Sequence, residues 1–150
     1  MTEEQITKAI LNWLENKGWK IISFDFPQSG TGVSLHPNEE IRETKNKGAF
    51  IPDIVAIKDK TVAFFENKDR FVLSDFEKVA ELRTTIDYSK SIKKHLNGLT
   101  YVNIFYGVGL PHTDNTSKKT EENKNKIDFA VFVSPDKSVS VEFQTTLIFV

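Results

Sequence analysis

The chain has 150 residues, with 20 Lys and Arg against 21 Asp and Glu, twelve Phe and no Cys. A length of that order makes a single domain the default and lets a fold bury about 68–70% of its unfolded surface. Without cysteine there are no disulfides or thiolate zinc sites, which suits a reducing cytoplasm, and the formal net charge of −1 lacks the basic excess of general nucleic-acid binders.

The start, Met1-Thr2-Glu3-Glu4-Gln5, is too acidic and polar for a secretory signal, and no apolar run reaches the roughly 20 residues that span a bilayer. Thr2 reads as an N-cap with Gln5 three residues on, a capping box. Ile6, Ile10, Trp13 and Leu14 follow at helical spacing, and Lys17-Gly18 ends the helix. Residues 19–26 alternate as a first strand, with Trp19, Ile21, Phe24 and Phe26, broken by Pro27. Residues 28–47 are polar and rich in Gly, Asn, Glu and Lys, a long loop of the kind that is often functional. Within it, Ser29-Gly30-Thr31-Gly32 lacks the lysine of a P-loop and precedes no helix, so no nucleotide cofactor is expected.

Residues 50–57 and 61–65 are apolar and β-branched, and the polar Lys58-Asp59-Lys60 joins them as a hairpin. Ser74-Asp75 opens a second helix carrying Phe76, Val79, Ala80 and Leu82. Residues 89–95 either continue it or form a separate segment, stopped at Asn97-Gly98. Residues 101–108 make an aromatic-rich strand. Residues 110–126, full of Lys, Glu, Asn and Thr, read as an exposed loop with no core face. Residues 127–133 and 139–143 are two further strands around a Ser134-Pro135-Asp136-Lys137 turn. The apolar tail, Leu147-Ile148-Phe149-Val150, is expected to add an edge strand or a dimer contact. This order predicts an α/β or α+β domain, a mixed sheet with helices on its faces.

The hairpin carries three charges, Asp53, Glu66 and Lys68, in two apolar strands. Charges in a buried strand are costly unless they are paired or bind a metal. A turn centred between Asp59 and Lys60 puts Asp53 opposite Glu66 and Ile51 opposite Lys68. Facing residues have Cβ atoms about 4.5–5.5 Å apart. Glu66 and Lys68, two positions apart, share a face. Two facing carboxylates repel unless a divalent cation lies between them, and magnesium favours such a site. The plain alternative is an ion-pair cluster at a strand end, where charge is cheap.

Pro52-Asp53, a spacer and Glu66-Asn67-Lys68 resemble the active-site signature of the PD-(D/E)xK nuclease superfamily, which includes type II restriction endonucleases and Holliday junction resolvases. The resemblance implies a restriction-endonuclease-like αβββαβ core. It implies that Asp53, Glu66 and the backbone carbonyl of Asn67 hold Mg²⁺, with Mn²⁺ as a substitute, and that Lys68 orients or activates the attacking water. Many members add a Glu from the first helix, for which Glu3 is the candidate here; ordinary acid enrichment at a helix start is the favoured account of it. The implied activity is hydrolysis of DNA phosphodiester bonds, restriction-type first and junction resolution or DNA repair and defence next. An enzyme that cuts both strands is expected to be a homodimer. A non-catalytic binding module on the same fold is the reading from another class. Arg70 is placed to contact a phosphate. Lys118, Lys119, Lys124 and Lys126 are candidates for gripping DNA, with a solvated surface as the bland alternative. His36, His95 and His112 lack metal spacing, and no Ser-His-Asp set can be assembled.

Overall fold

The structure, a computed structural model, describes residues 1–25, 51–84 and 88–150. The polar loop with Ser29-Gly30-Thr31-Gly32 and His36 lies outside the described residues, as does the link at 85–87. The described chain is a mixed α/β domain. Its elements are α1 (Glu3–Asn16), β1 (Lys20–Phe24), β2 (Ile54–Lys58), β3 (Thr61–Asn67), α2 (Leu73–Thr84), α3 (Ser89–His95), β4 (Asn103–Pro111), α4 (Asp114–Asn123), a 3₁₀ turn (Lys124–Lys126), β5 (Phe129–Val133) and β6 (Val139–Gln144). No helix among them is long and apolar enough to cross a membrane.

The capping box opens α1 as expected. Thr2 Oγ1 accepts from Gln5 N at 3.1 Å, and Gln5 Oε1 accepts from Thr2 N at 2.8 Å. Gly18 follows the last turn at φ 88°, a conformation that costs a residue without Cβ little. Lys58 Nζ then donates to the orphan carbonyl of Lys17 at 2.6 Å, which ties the helix end to β2.

The six strands lie in chain order in one sheet. β1, β2 and β3 form an antiparallel meander, β3, β4 and β5 run parallel, and β6 returns antiparallel. The hairpin register is the expected one: Ile54 faces Phe65, Ala56 faces Ala63 and Lys58 faces Thr61. Asp59 and Lys60 make the turn with φ of 48° and 69°, the two left-handed residues that match a hairpin's twist. Strand β2 starts later than the apolar run suggests, because Pro52 has no N–H to give the ladder.

Side chains alternate between two cores. Val55, Val62, Phe64, Val108 and Leu110 pack on one face with Phe76, Val79 and Leu82 of α2 and Ile92 of α3. Ile54, Ala56, Ala63 and Phe65 pack on the other with Ile6, Ile10 and Leu14 of α1. Both parallel connections step across the sheet in the same direction, and right-handed crossovers put them on one face. The α2 and α3 face is that face, and the 3₁₀ turn after α4 packs on α2.

Two expectations are corrected. Residues 110–126 are not a loop: β4 runs through Pro111, and Thr113 caps α4, its Oγ1 accepting from Thr116 N at 3.1 Å. The helix hides only Thr116 and Thr120, so no apolar stripe announced it. The tail is not an edge strand. Gln144 Oε1 accepts from Ile148 N at 3.1 Å and Phe149 N at 3.2 Å, which folds the chain back. Phe149 then closes the α1 core, its ring 5.1 Å from Trp13, 5.4 Å from Trp19 and 5.0 Å from Phe129. Burying such a ring contributes about 1.5–3 kcal/mol.

Candidate active site

The chemistry-bearing residues gather where β3 ends. Asp53 sits just ahead of β2 and is held by its backbone on both sides. Its N–H donates to Phe65 O at 2.9 Å, and its carbonyl accepts from Asp25 N at 2.9 Å. Val55 and Ile57, which follow Asp53 at alternate positions, face α2. On β3, Val62 and Phe64 set the same face for Glu66 and then Lys68. Two acids and an amine thus come together at this end of the hairpin, where Asp53, Glu66 and Lys68 act on one another.

Asp53 Oδ2 accepts from the backbone N–H of Asn67 at 2.7 Å, which aims the carboxylate across the strand gap. Asp53 and Glu66 lie close enough for each to act on the other's ionisation, and two neighbouring carboxyl groups do not both ionise readily. Burial pushes Asp53 up to about 7, against the Asn67 N–H bond that favours its charge, and the charge of Glu3 pushes it further. Burial, then the Asp53 charge, pushes Glu66 up to about 9. The two titrate as a unit that keeps a proton at neutral pH.

Lys68 N donates to Gly109 O at 3.1 Å, where β3 and β4 part. Burial works against its ammonium, but Asp75, Glu3, Glu66 and Asp53 outweigh burial and hold the lysine above its usual value. Its Nζ lies 3.8 Å from Asp75 Oδ2 in the first turn of α2. Asp75 is also raised, by burial first and in spite of Lys68, Lys78 and Arg70.

Asn67 points its side chain to the other face. It is fully buried, and its Nδ2 donates to Thr7 Oγ1 of α1 at 3.1 Å. Gly109 makes room for it: a Cβ there would stand 2.4 Å from both Asn67 Oδ1 and Ile10 Cδ1. This packing pins the backbone between Glu66 and Lys68, the stretch whose carbonyl the sequence pattern nominates as a ligand. The first turn of α1 comes to the same end of the sheet, and Glu3 acts on both Asp53 and Lys68 from there.

Of the residues expected from sequence, Asp53, Glu66, Asn67, Lys68 and Glu3 converge. Arg70 is exposed, with Nη1 at 2.7 Å from Asp69 Oδ1, and it reaches the group through its effect on Asp75. Lys118 and Lys119 belong to α4, and Lys124 and Lys126 to the 3₁₀ turn. Lys119 pairs with Glu122 at 3.9 Å, Lys124 with Glu121 at 2.7 Å, and Lys126 Nζ donates to Asn123 at 2.9 Å. None of the four is among the charges that act on Asp53, Glu66 or Lys68. Sequence reading missed three contributors: Asp75, read only as a helix opener; Thr7, hidden in a helix face; and Gly109, whose need is visible only once Asn67 lies beside it. Elsewhere the fold joins Ser23 Oγ and His95 Nε2 at 3.0 Å, a pair no sequence spacing signalled.

The donor set suits a hard divalent cation. It offers carboxylate and carbonyl oxygens without imidazole or thiolate, and a cation between the two acids would relieve their repulsion. Among the described residues, no group of three or more His, Cys, Asp or Glu side chains forms a closed metal cage. A pair of acids is the number magnesium commonly takes, the rest of its shell being water and phosphate. Comparison with known protein families and with curated proteins finds no match to this chain.

Proposed function

We propose that this protein is a magnesium-dependent DNA endonuclease on a restriction-endonuclease-like core. The reading is carried by one observation: Asp53, whose Oδ2 accepts from Asn67 N at 2.7 Å, and Glu66 lie close enough to act on each other, and both act on Lys68. Such a pair is costly to a fold and useful to chemistry. The order of α1, three antiparallel strands, α2 and α3, then β4, supports the αβββαβ core of PD-(D/E)xK nucleases.

Asp53, Glu66 and the Asn67 carbonyl would hold Mg²⁺ or Mn²⁺, which would supply the positive charge that polarises a phosphodiester and acidifies a water. The chain does the rest. The Asn67 N–H keeps the Asp53 carboxylate aimed. Lys68 sets an ammonium beside the place where negative charge grows on the phosphate. Glu3 adds charge from α1. Arg70 and the lysines at 118, 119, 124 and 126 provide backbone contacts that position DNA without reading its sequence. One site cuts one strand, so a double-strand cutter works as a homodimer.

The test is plasmid nicking. Supercoiled DNA, and a four-way junction beside it, is incubated with Mg²⁺ or Mn²⁺ and either wild type or Asp53→Ala. Metal-dependent cutting by the wild type alone supports the reading, and the preferred substrate separates a restriction-type enzyme from a resolvase. Binding without cutting of any DNA form replaces it with a non-catalytic module.

A further inference from the structure

Lys68 has a nearer companion than the acids it is expected to serve. Its Nζ stands 3.8 Å from Asp75 Oδ2, and both side chains are largely covered, at 27% and 17% exposure. Asp75 Oδ2 is buried and accepts no hydrogen bond. An orphan carboxylate oxygen is costly to bury, and the charge beside it is the compensation. Asp75 belongs to the first turn of α2, whereas Lys68 leaves the end of β3, so the contact is made only when helix and sheet dock. Lys68 and Arg70 from the segment after β3, Lys78 from α2 and Glu66 from β3 are the charges coupled to it. Asp75 does not complete a three-acid cage with Asp53 and Glu66. A role through Lys68 is what remains.

We infer that Asp75 is a positioning residue, which holds the Lys68 ammonium beside the Asp53–Glu66 pair and keeps it from collapsing onto the two carboxylates. An ammonium on a flexible four-carbon stem is otherwise free to pair with the acids themselves. There it would compete with the cation and leave the phosphate. Anchored from α2, it stays alongside. The proposal rests on the nuclease reading, since a positioned lysine matters only if there is chemistry to assist.

The experiment is single-turnover DNA cutting with Mg²⁺ at saturating DNA, using wild type, Asp75→Asn, Asp75→Glu, Lys68→Ala and Lys68→Ala/Asp75→Asn, each checked for folding by circular dichroism. Asp75→Asn is expected to lose on the order of 100-fold in rate, the cost of a misplaced catalytic group, with DNA affinity unchanged. Asp75→Glu recovers most of the rate. The double variant cuts no more slowly than Lys68→Ala alone, because the two residues act as one unit. Should Asp75→Asn not fold, Asp75→Ser, a residue that suits a helix start, repeats the measurement. A wild type that cuts while Asp75→Asn or Asp75→Ser cuts equally well, or losses that multiply in the double variant, overturn this inference alone. A wild type inactive on every DNA form overturns the nuclease reading and this inference with it.

Discussion

The two ends of α2 each carry a charged group against the sheet, and they are built on opposite terms. At the C-terminal end, Arg83 Nη1 lies 3.3 Å from Asp128 Oδ1, and Nη2 donates to Asn125 O at 2.6 Å. The other Asp128 oxygen accepts from Tyr106 N at 2.9 Å. Every charge there has an opposite or a hydrogen bond, and the helix dipole favours a cation in that turn. At the N-terminal end, Asp53, Glu66 and Asp75 crowd one lysine, and Asp75 Oδ2, 3.8 Å from its ammonium, accepts no hydrogen bond. The first group staples α2 to β4 and β5. The second is poised rather than satisfied, a state that a fold tolerates for function.

The contrast can be broken from either side, and the largest effect is expected at the acids. Asp53→Ala or Glu66→Ala should cut Mg²⁺-dependent cleavage by roughly 10²–10³-fold or more, the scale of a lost electrostatic stabiliser, measured under single-turnover conditions. The same variants should melt no lower than wild type in metal-free buffer at pH 8, because each removes a buried acid whose charge is costly. Asp128→Ala should do the reverse. Urea titration should show a loss of about 1.5–3 kcal/mol, as for hydrogen bonds to a charged group, with cleavage per folded molecule unchanged.

The next effect is on pH. Asp53 and Glu66 start from 3.8 and 4.5 in the unfolded chain and rise to about 7 and about 9 on folding. Well below pH 3.8 both states are protonated, and the pair costs nothing. As pH climbs, the unfolded chain ionises first, so metal-free stability falls until about 9 and then levels. Chemical denaturation at pH 5, 7 and 9 should show this slope. Glu66→Gln should flatten it, and Mg²⁺ should restore most stability at the alkaline end. The smallest effect is expected at Lys124, whose partner Glu121 is exposed. Lys124→Ala should change stability by about 0.5 kcal/mol or less. If it touches a phosphate, the slope of log affinity against log salt should shrink by about 0.9.

Local rules carried the hairpin far. Its apolar runs and its Asp59-Lys60 turn set the register, which runs from the Lys58–Thr61 pair to the Ile54–Phe65 pair and leaves Asp53 at the start of β2 beside the end of β3. Helix α4 was missed because its sequence hides two threonines instead of an apolar stripe; the cap at Thr113 and Thr116 was the signal available. Phe149 was misplaced for the opposite reason. It is plainly apolar, but only the Gln144 bonds that turn the tail show which surface it covers. Asp75 carried no mark beyond an acid in a first turn, where acids are common.

What the amino-acid order determined by itself is therefore the hairpin whose open end carries two acids and one amine. Strand alternation and turn chemistry act over a few residues and leave little freedom. Tertiary structure decided what surrounds them: α1 brings Glu3 and Thr7, β4 leaves the gap at Gly109 that Asn67 fills, and α2 swings Asp75 against Lys68. Those contacts join segments far apart in the chain, and burial and charge act on them through space, which no local pattern encodes.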